Sequence, residues 1–271
     1  MSLLHTYTHE AMKTTFSLRL ISNDPALANS AASACIARID AIEASLSRYI
    51  EGSDIWQINQ MESDQSLFVS EDCHACLRLA LEAGQETQGL FDCSLGRLIE
   101  HTKQAQPGER PKLSGQLMLD PNRPAVHCIE RGREIDLGGI GKGYALDQLQ
   151  ITLNELGIKC ALLAAGASTQ LAFGERTWDI ALGGDNSTLT IQLKNQALSS
   201  SGTAIQGSHI VSLDPNFLNY SRPRVWVIHS SAAKADAYST AALLTPRLKS
   251  LKGLHSSVRF FEESTNGIVE S

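Results

Sequence analysis

Between Asp136 and Asp147 the sequence runs Asp-Leu-Gly-Gly-Ile-Gly-Lys-Gly-Tyr-Ala-Leu-Asp, four glycines and one lysine between a predicted strand and a predicted helix. Glycines let backbone N–H groups approach a phosphate without a Cβ in the way, and a helix opening after Gly143 would aim its positive end at the same point. Lys142 would neutralise part of a pyrophosphate. The spacing is neither that of a Walker A loop nor that of a GxGxxG fingerprint. On spacing alone, the competing reading is a tight strand-to-helix turn with a solvated lysine.

A second cluster, Ala235-Asp236-Ala237-Tyr238-Ser239-Thr240, stands at the head of another predicted helix. Asp236 and Thr240 lie four residues apart, so both oxygens leave one helical face, with Ser239 beside them. Hard oxygen donors of this kind suit Mg²⁺ and not zinc. Taken alone, helix capping by Asp236 with Thr240 as a buried hydroxyl explains the segment more simply. Together the two clusters imply a nucleotide-type diphosphate whose P–O bond is polarised by a metal.

The elements that must position these groups follow from periodicity. Phe16, Leu18 and Leu20 alternate with polar residues and predict a half-buried strand over 14–21. Asp24 as N-cap with Pro25 behind it opens a helix whose apolar face carries Cys35, Ile39, Ile42, Leu46 and Tyr49. Ser70 opens another, with Glu71 and Asp72 in its first turn, ending near Gly89. Residues 102–124, rich in Gln, Pro, Gly and Lys, read as a long loop or excursion. Beyond them, strands are predicted at 125–129, 134–137, 160–164, 177–182, 189–193, 225–228 and 257–261, with helices at 143–156 and 233–244. This is an α+β plan. No internal repeat or transmembrane span is visible.

With 271 residues and 42% hydrophobic content, the chain can bury a core as one large domain or two interleaved lobes, and we expect a single domain over 1–271. A net charge of -6 and the lack of a Lys/Arg-rich run argue against nucleic-acid binding. The first twelve residues hold no apolar run of signal-peptide length. As it stands the chain is expected to be cytoplasmic, or periplasmic if a leader has been removed. Six cysteines are too few for a disulfide scaffold. Cys73 and Cys76 have CxxC spacing but lie in an apolar helical pattern with no second pair, which favours buried thiols over a metal or redox role.

These residues resemble the ApbE family of FAD:protein FMN transferases. The family's Asp-Leu-Gly-Gly/Ala-Ile-Ala/Gly-Lys-Gly-Tyr-Ala pattern is met from Asp136 onward, and its Ala-Asp-x-x-Ser/Ala-Thr pattern by Ala235 to Thr240. Weaker matches fall in the family's order: Met12 to Phe16, then Ser47-Arg48-Tyr49 with Ser53, Ile55 and Asn59, then Gly89 to Ser94. The resemblance implies a T-fold-like arrangement of mixed sheets packed with helices, two interleaved lobes with the ligand site between them. It implies that Asp136 and Lys142 contact FAD, and that the Gly139 carbonyl completes a Mg²⁺ site with Asp236, Ser239 and Thr240. Met12, Tyr49, Leu90, Phe91, Asp92 and Ile210 would line the flavin and adenine pocket, although core packing explains Tyr49 and Phe91 equally well. Such enzymes transfer the FMN half of FAD to a Thr or Ser hydroxyl of a target flavoprotein and release AMP. That chemistry needs charge neutralisation by Mg²⁺ and Lys142, and a base for the hydroxyl. His209, in a segment similar to the family's His-Ile-x-Asp-Pro, is the candidate base.

The sequence departs from the pattern at Lys13 for a glycine, at Cys93 for a proline, at Ala165-Gly166-Ala167-Ser168 for Gly-Gly-Asp/Asn, and in the spacing from His209 to Asp214. Two other activities use the same residues: an FAD pyrophosphatase with water as acceptor, and a non-catalytic FAD-binding paralogue. A ligand-free α+β domain would require both motifs to be accidents of turn and cap chemistry.

Overall fold

The computed structural model describes residues 3–104, 110–184, 187–202, 223–245, 248, 251 and 258–271. Its framework is an eight-stranded antiparallel sheet. The strands, in spatial order, are β1 (Leu3–Ala11), β2 (Thr14–Ser22), β6 (Ala161–Ala165), β7 (Thr169–Phe173), β10 (Gln196–Gly202), β11 (Arg224–His229), β12 (Arg259–Ser264) and β13 (Gly267–Glu270). β1 and β2 form a hairpin closed by Met12 and Lys13, which both take left-handed backbone, φ 50° and 56°, as a two-residue hairpin turn demands.

Alternation along the central strands builds two cores, one on each face. Phe16, Leu18, Leu163, Leu171, Ala197, Val225 and Val227 meet the helices. Their neighbours Leu162, Ala172, Leu198, Trp226 and Ile228 meet a two-stranded ribbon, β8 (Trp178–Gly183) with β9 (Thr188–Leu193). The helical layer holds α1 (Pro25–Leu46), α5 (Gly141–Glu155) and α6 (Ala232–Leu244) against the sheet, with α3 (Glu71–Glu86) packed on α1 and α6. A three-stranded sheet, β3 (Gln65–Phe68), β5 (Ala125–Glu130) and β4 (Gln116–Leu119), and the short helices α2 (Asp54–Asn59) and α4 (Gly96–Lys103) complete the described residues. Among these, no helix is long and apolar enough to cross a membrane.

The predicted caps form: Asp24 accepts from the N–H groups of Ala26 and Leu27, and Ser70 from that of Cys73. Several expectations are corrected. Helix α1 ends at Leu46, so Tyr49 lies beyond the apolar stripe and is 50% exposed. The stretch 102–124 contains β4 and the end of α4. Residues 134–137 form no strand, because Ile135 spends both backbone groups on the Asn59 side-chain amide and Asp136 donates its N–H to the Cys93 carbonyl. Strands β1, β3, β7, β10 and β13 and helices α2 and α4 were not among the predicted elements.

Candidate functional site

The glycine loop turns tightly, with the N–H groups of Ile140 and Gly141 both directed at the Leu137 carbonyl. Helix α5 starts at Gly141, two residues earlier than predicted, and no side chain of its own caps it. Lys142 is therefore in the first turn. Its ammonium donates to the Gly138 carbonyl at 3.1 Å and lies 3.8 Å from Asp236 Oδ2.

Asp236 arrives from the next helix and serves as the missing cap. Its Oδ2 accepts the Gly143 N–H at 3.2 Å, and its Oδ1 accepts hydroxyls from Ser199 on β10 and Thr169 on β7, at 3.0 and 3.3 Å. Helix α6 is capped by Ser231, not by Asp236 as the simpler sequence reading held. The exchange is reciprocal: Asp147 of α5 accepts the N–H groups of Ala232 and Ala233 and the Ser231 hydroxyl at the start of α6. Burial pushes the Asp147 carboxyl up, against the lowering effect of those three donors.

Around Asp236 the predicted ligands assemble unequally. A Cβ on Gly139 would stand 3.2 Å from both Thr240 Oγ1 and the Phe91 ring, so loop, α6 and the turn at Phe91 are in contact. Thr240 Oγ1 lies 3.5 Å from the Asp236 carbonyl. The Ser239 hydroxyl is fully buried, donating to the Asp236 carbonyl and facing Ser201 Oγ at 2.8 Å, which turns it toward β10. The Asp236 carboxylate, the Thr240 hydroxyl and the Gly139 carbonyl would offer a metal only oxygen donors. This set fits Mg²⁺, which keeps waters and phosphate oxygens in its shell, and offers zinc neither thiolate nor imidazole. Among the described residues no group of three or more His, Cys, Asp or Glu side chains converges as a metal site.

The remaining predicted residues form a neighbouring group. Asp136 accepts the Gly138 N–H through Oδ1 at 2.8 Å and meets Arg48 through Oδ2 at 3.3 Å. Asp92 caps its own turn, accepting from the Ser94 N–H and hydroxyl, with Arg133 at 3.6 Å. Leu90 is half-buried against the core. The Met12 N–H donates to Glu43 Oε1. Tyr49 is ringed by cations: the Lys13 ammonium sits 4.2 Å from its ring centroid, and Lys103 donates to its hydroxyl. His209 and Ile210 lie outside the described residues. Cys73, Cys76 and Cys93 are buried free thiols; burial pushes Cys93 up to about 12 and Cys76 well above the ordinary range.

Sequence reasoning missed Thr169, Ser199 and Ser201, and gave Arg48 no role beyond its place in the Ser47-Arg48-Tyr49 match. The faint signal was the run Ser199-Ser200-Ser201, where alternation turns two of the three hydroxyls toward α6.

The ApbE family model matches residues 12–259. The chain belongs to the ApbE family. Among ApbE-related sequences, a protein of Buchnera aphidicola subsp. Schizaphis graminum named FAD:protein FMN transferase is 23% identical over 239 residues, covering 76% of this chain and 70% of the relative. A protein of the same name from Rhodobacter capsulatus is 25% identical over 243 residues, 76% of this chain but 45% of the relative. The ApbE fold is matched by the flavin transferase ApbE from Vibrio cholerae, with a TM-score of 0.83 at 18% identity over 100% of this chain and 97% of that one. The apo flavinyl transferase ApbE from Pseudomonas stutzeri matches with a TM-score of 0.84 at 21% identity, covering 100% and 94%.

Proposed function

We propose that this ApbE-family chain is an FAD:protein FMN transferase, moving the FMN half of FAD to a Thr or Ser hydroxyl of an acceptor flavoprotein and releasing AMP. The observation that carries the reading is the meeting of the two motifs: Asp236 accepts the Gly143 N–H and stands 3.8 Å from Lys142. The start of α5 and the Lys142 ammonium would hold the diphosphate. Asp236 and Thr240, with the Gly139 carbonyl, would hold Mg²⁺, whose contribution is neutralisation of charge on the phosphoryl oxygens. Met12, Tyr49, Leu90, Phe91 and Asp92 would border the flavin and adenine. His209 remains the proposed base, taking the acceptor's proton as the new phosphoester bond forms and the P–O–P bond breaks.

The test is to incubate the protein with FAD, Mg²⁺ and a flavoprotein domain bearing an acceptor Thr, with and without EDTA, and to follow FMN and AMP by chromatography. Metal-dependent AMP with FMN on the acceptor supports the proposal. AMP with free FMN would replace the acceptor hydroxyl by water, and intact bound FAD would leave a binding paralogue.

A further inference from the structure

Arg48 is the polar side chain on which the entry to the glycine loop rests. It is 10% exposed and donates to three acceptors: the Gly96 carbonyl at 2.8 Å, Glu134 Oε2 at 2.7 Å and Asp136 Oδ2 at 3.3 Å. The segment it holds has no strand partner to fix it. Glu134, Ile135 and Asp136 are held by the Gly96 N–H, the Asn59 side-chain amide, the Cys93 carbonyl, a bridge between Leu95 and Glu134, and this guanidinium.

We propose that Arg48 is a positioning residue that sets the shape of the glycine loop through Asp136. The link is direct. The Asp136 oxygen not facing Arg48 accepts the N–H of Gly138, the first glycine of the loop, whose carbonyl in turn receives Lys142. Without the guanidinium, the Glu134 and Asp136 carboxylates would lose the cation they share, leaving Arg97 at 3.7 Å from Glu134. An uncompensated buried carboxylate turns outward toward water, and Asp136 doing so releases Gly138. The fold reserves the space: a Cβ at Gly96 would stand 2.6 Å from Arg48 Nη1 and 2.8 Å from the Glu134 carbonyl oxygen. The planar fork spreads its donors over two nitrogens, Nη1 for Gly96 and Asp136 and Nη2 for Glu134, whereas a lysine carries all of its donors on one nitrogen.

The consequence for ligand binding rests on the reading that this loop takes the diphosphate of FAD, so two readouts are needed. Amide hydrogen exchange on the ligand-free protein reads the loop itself, and quenching of flavin fluorescence reads FAD affinity. Arg48→Met and Asp136→Asn are each expected to speed exchange across 134–143 and to weaken FAD by about tenfold or more. Arg48→Met added to Asp136→Asn should weaken FAD by less than about twofold further, because the path is already cut. Arg48→Lys, which keeps the charge and loses the planar fork, should fall between the unaltered protein and Arg48→Met. Unchanged loop exchange in Arg48→Met, or equal weakening in both backgrounds, overturns the inference. If the loop responds as described while the unaltered protein does not bind FAD, the positioning role stands and the flavin reading fails.

Discussion

The Asp236 carboxylate is buried, and its oxygens receive two hydroxyls and one backbone N–H from three other elements. An acceptor placed in this way stabilises the fold as well as offering an anionic oxygen to a cation. Asp236→Asn keeps the shape but turns one acceptor into a donor that must face a hydroxyl or the Gly143 N–H. The expected loss is about 1–3 kcal/mol of stability, read by denaturant unfolding. The larger effect should be on chemistry, with metal-dependent turnover of FAD abolished even below the melting range. Turnover that stays metal-dependent at an undiminished rate would remove Asp236 from the metal site. Lys142 is equally legible as a cation beside a phosphate cradle, but its contact with Asp236 joins two motifs that the sequence holds far apart.

At the scale of elements, α5 and α6 cap each other through Asp236 and Asp147 and cross at Gly143. A Cβ there would collide with the Ala232 carbonyl, backbone that cannot swing away. Gly143→Ala should therefore force the helices apart. We expect a loss of about 1–3 kcal/mol with a cooperative transition retained, and a fall in turnover beyond what the lost stability explains, because Asp236 leaves the loop. A variant that melts and turns over like the unaltered protein would mean that the crossing is looser than it stands. Helices α1 and α3 were legible because a 3.6-residue period and a cap are local signals. Strand β10 was not, since Ala-Leu-Ser-Ser-Ser-Gly reads as a turn until Thr169 and Asp236 are there to receive its hydroxyls. Residues 134–137 erred the other way: their apolar alternation says strand, and the Asn59 amide takes the backbone groups a ladder would have used.

Across the molecule, the helical layer is tied together by ions as well as by apolar packing. Arg38 of α1 makes a two-pronged pair with Asp72 of α3 and also donates to Gln148 of α5, while the Tyr144 hydroxyl donates to Asp72. Burial pushes the Asp72 carboxyl up, but Arg38 and the Tyr144 hydrogen bond outweigh it and hold the group below the ordinary carboxylate range. A carboxyl depressed in the fold stabilises the protein above its unfolded pKa near 4, and that contribution is lost as pH falls through the lower folded value. Asp72→Asn should melt below the unaltered protein at pH 6, and the gap should narrow steadily toward pH 3. A gap of constant size would mean that the pair contributes through packing and not through charge.

What the sequence determined by itself was local chemistry. Asp136 to Asp147 carries four glycines and a cation within one turn of a helix start, and Asp236 and Thr240 share a face because four residues make about one turn. The α+β class followed from strand and helix periodicities, and the family from the resemblance of these two motifs to its own. What only the tertiary structure decided were the pairings: Gly143 with Asp236 across 93 residues, Asp136 with Arg48 across 88, and Ser199 and Thr169 on the same carboxylate. The reason is physical. A carboxylate accepts from any donor within reach, so its partner is set by which backbone segments the sheet and the helix crossing bring within about 3 Å, and one chain's order of residues does not encode that distance.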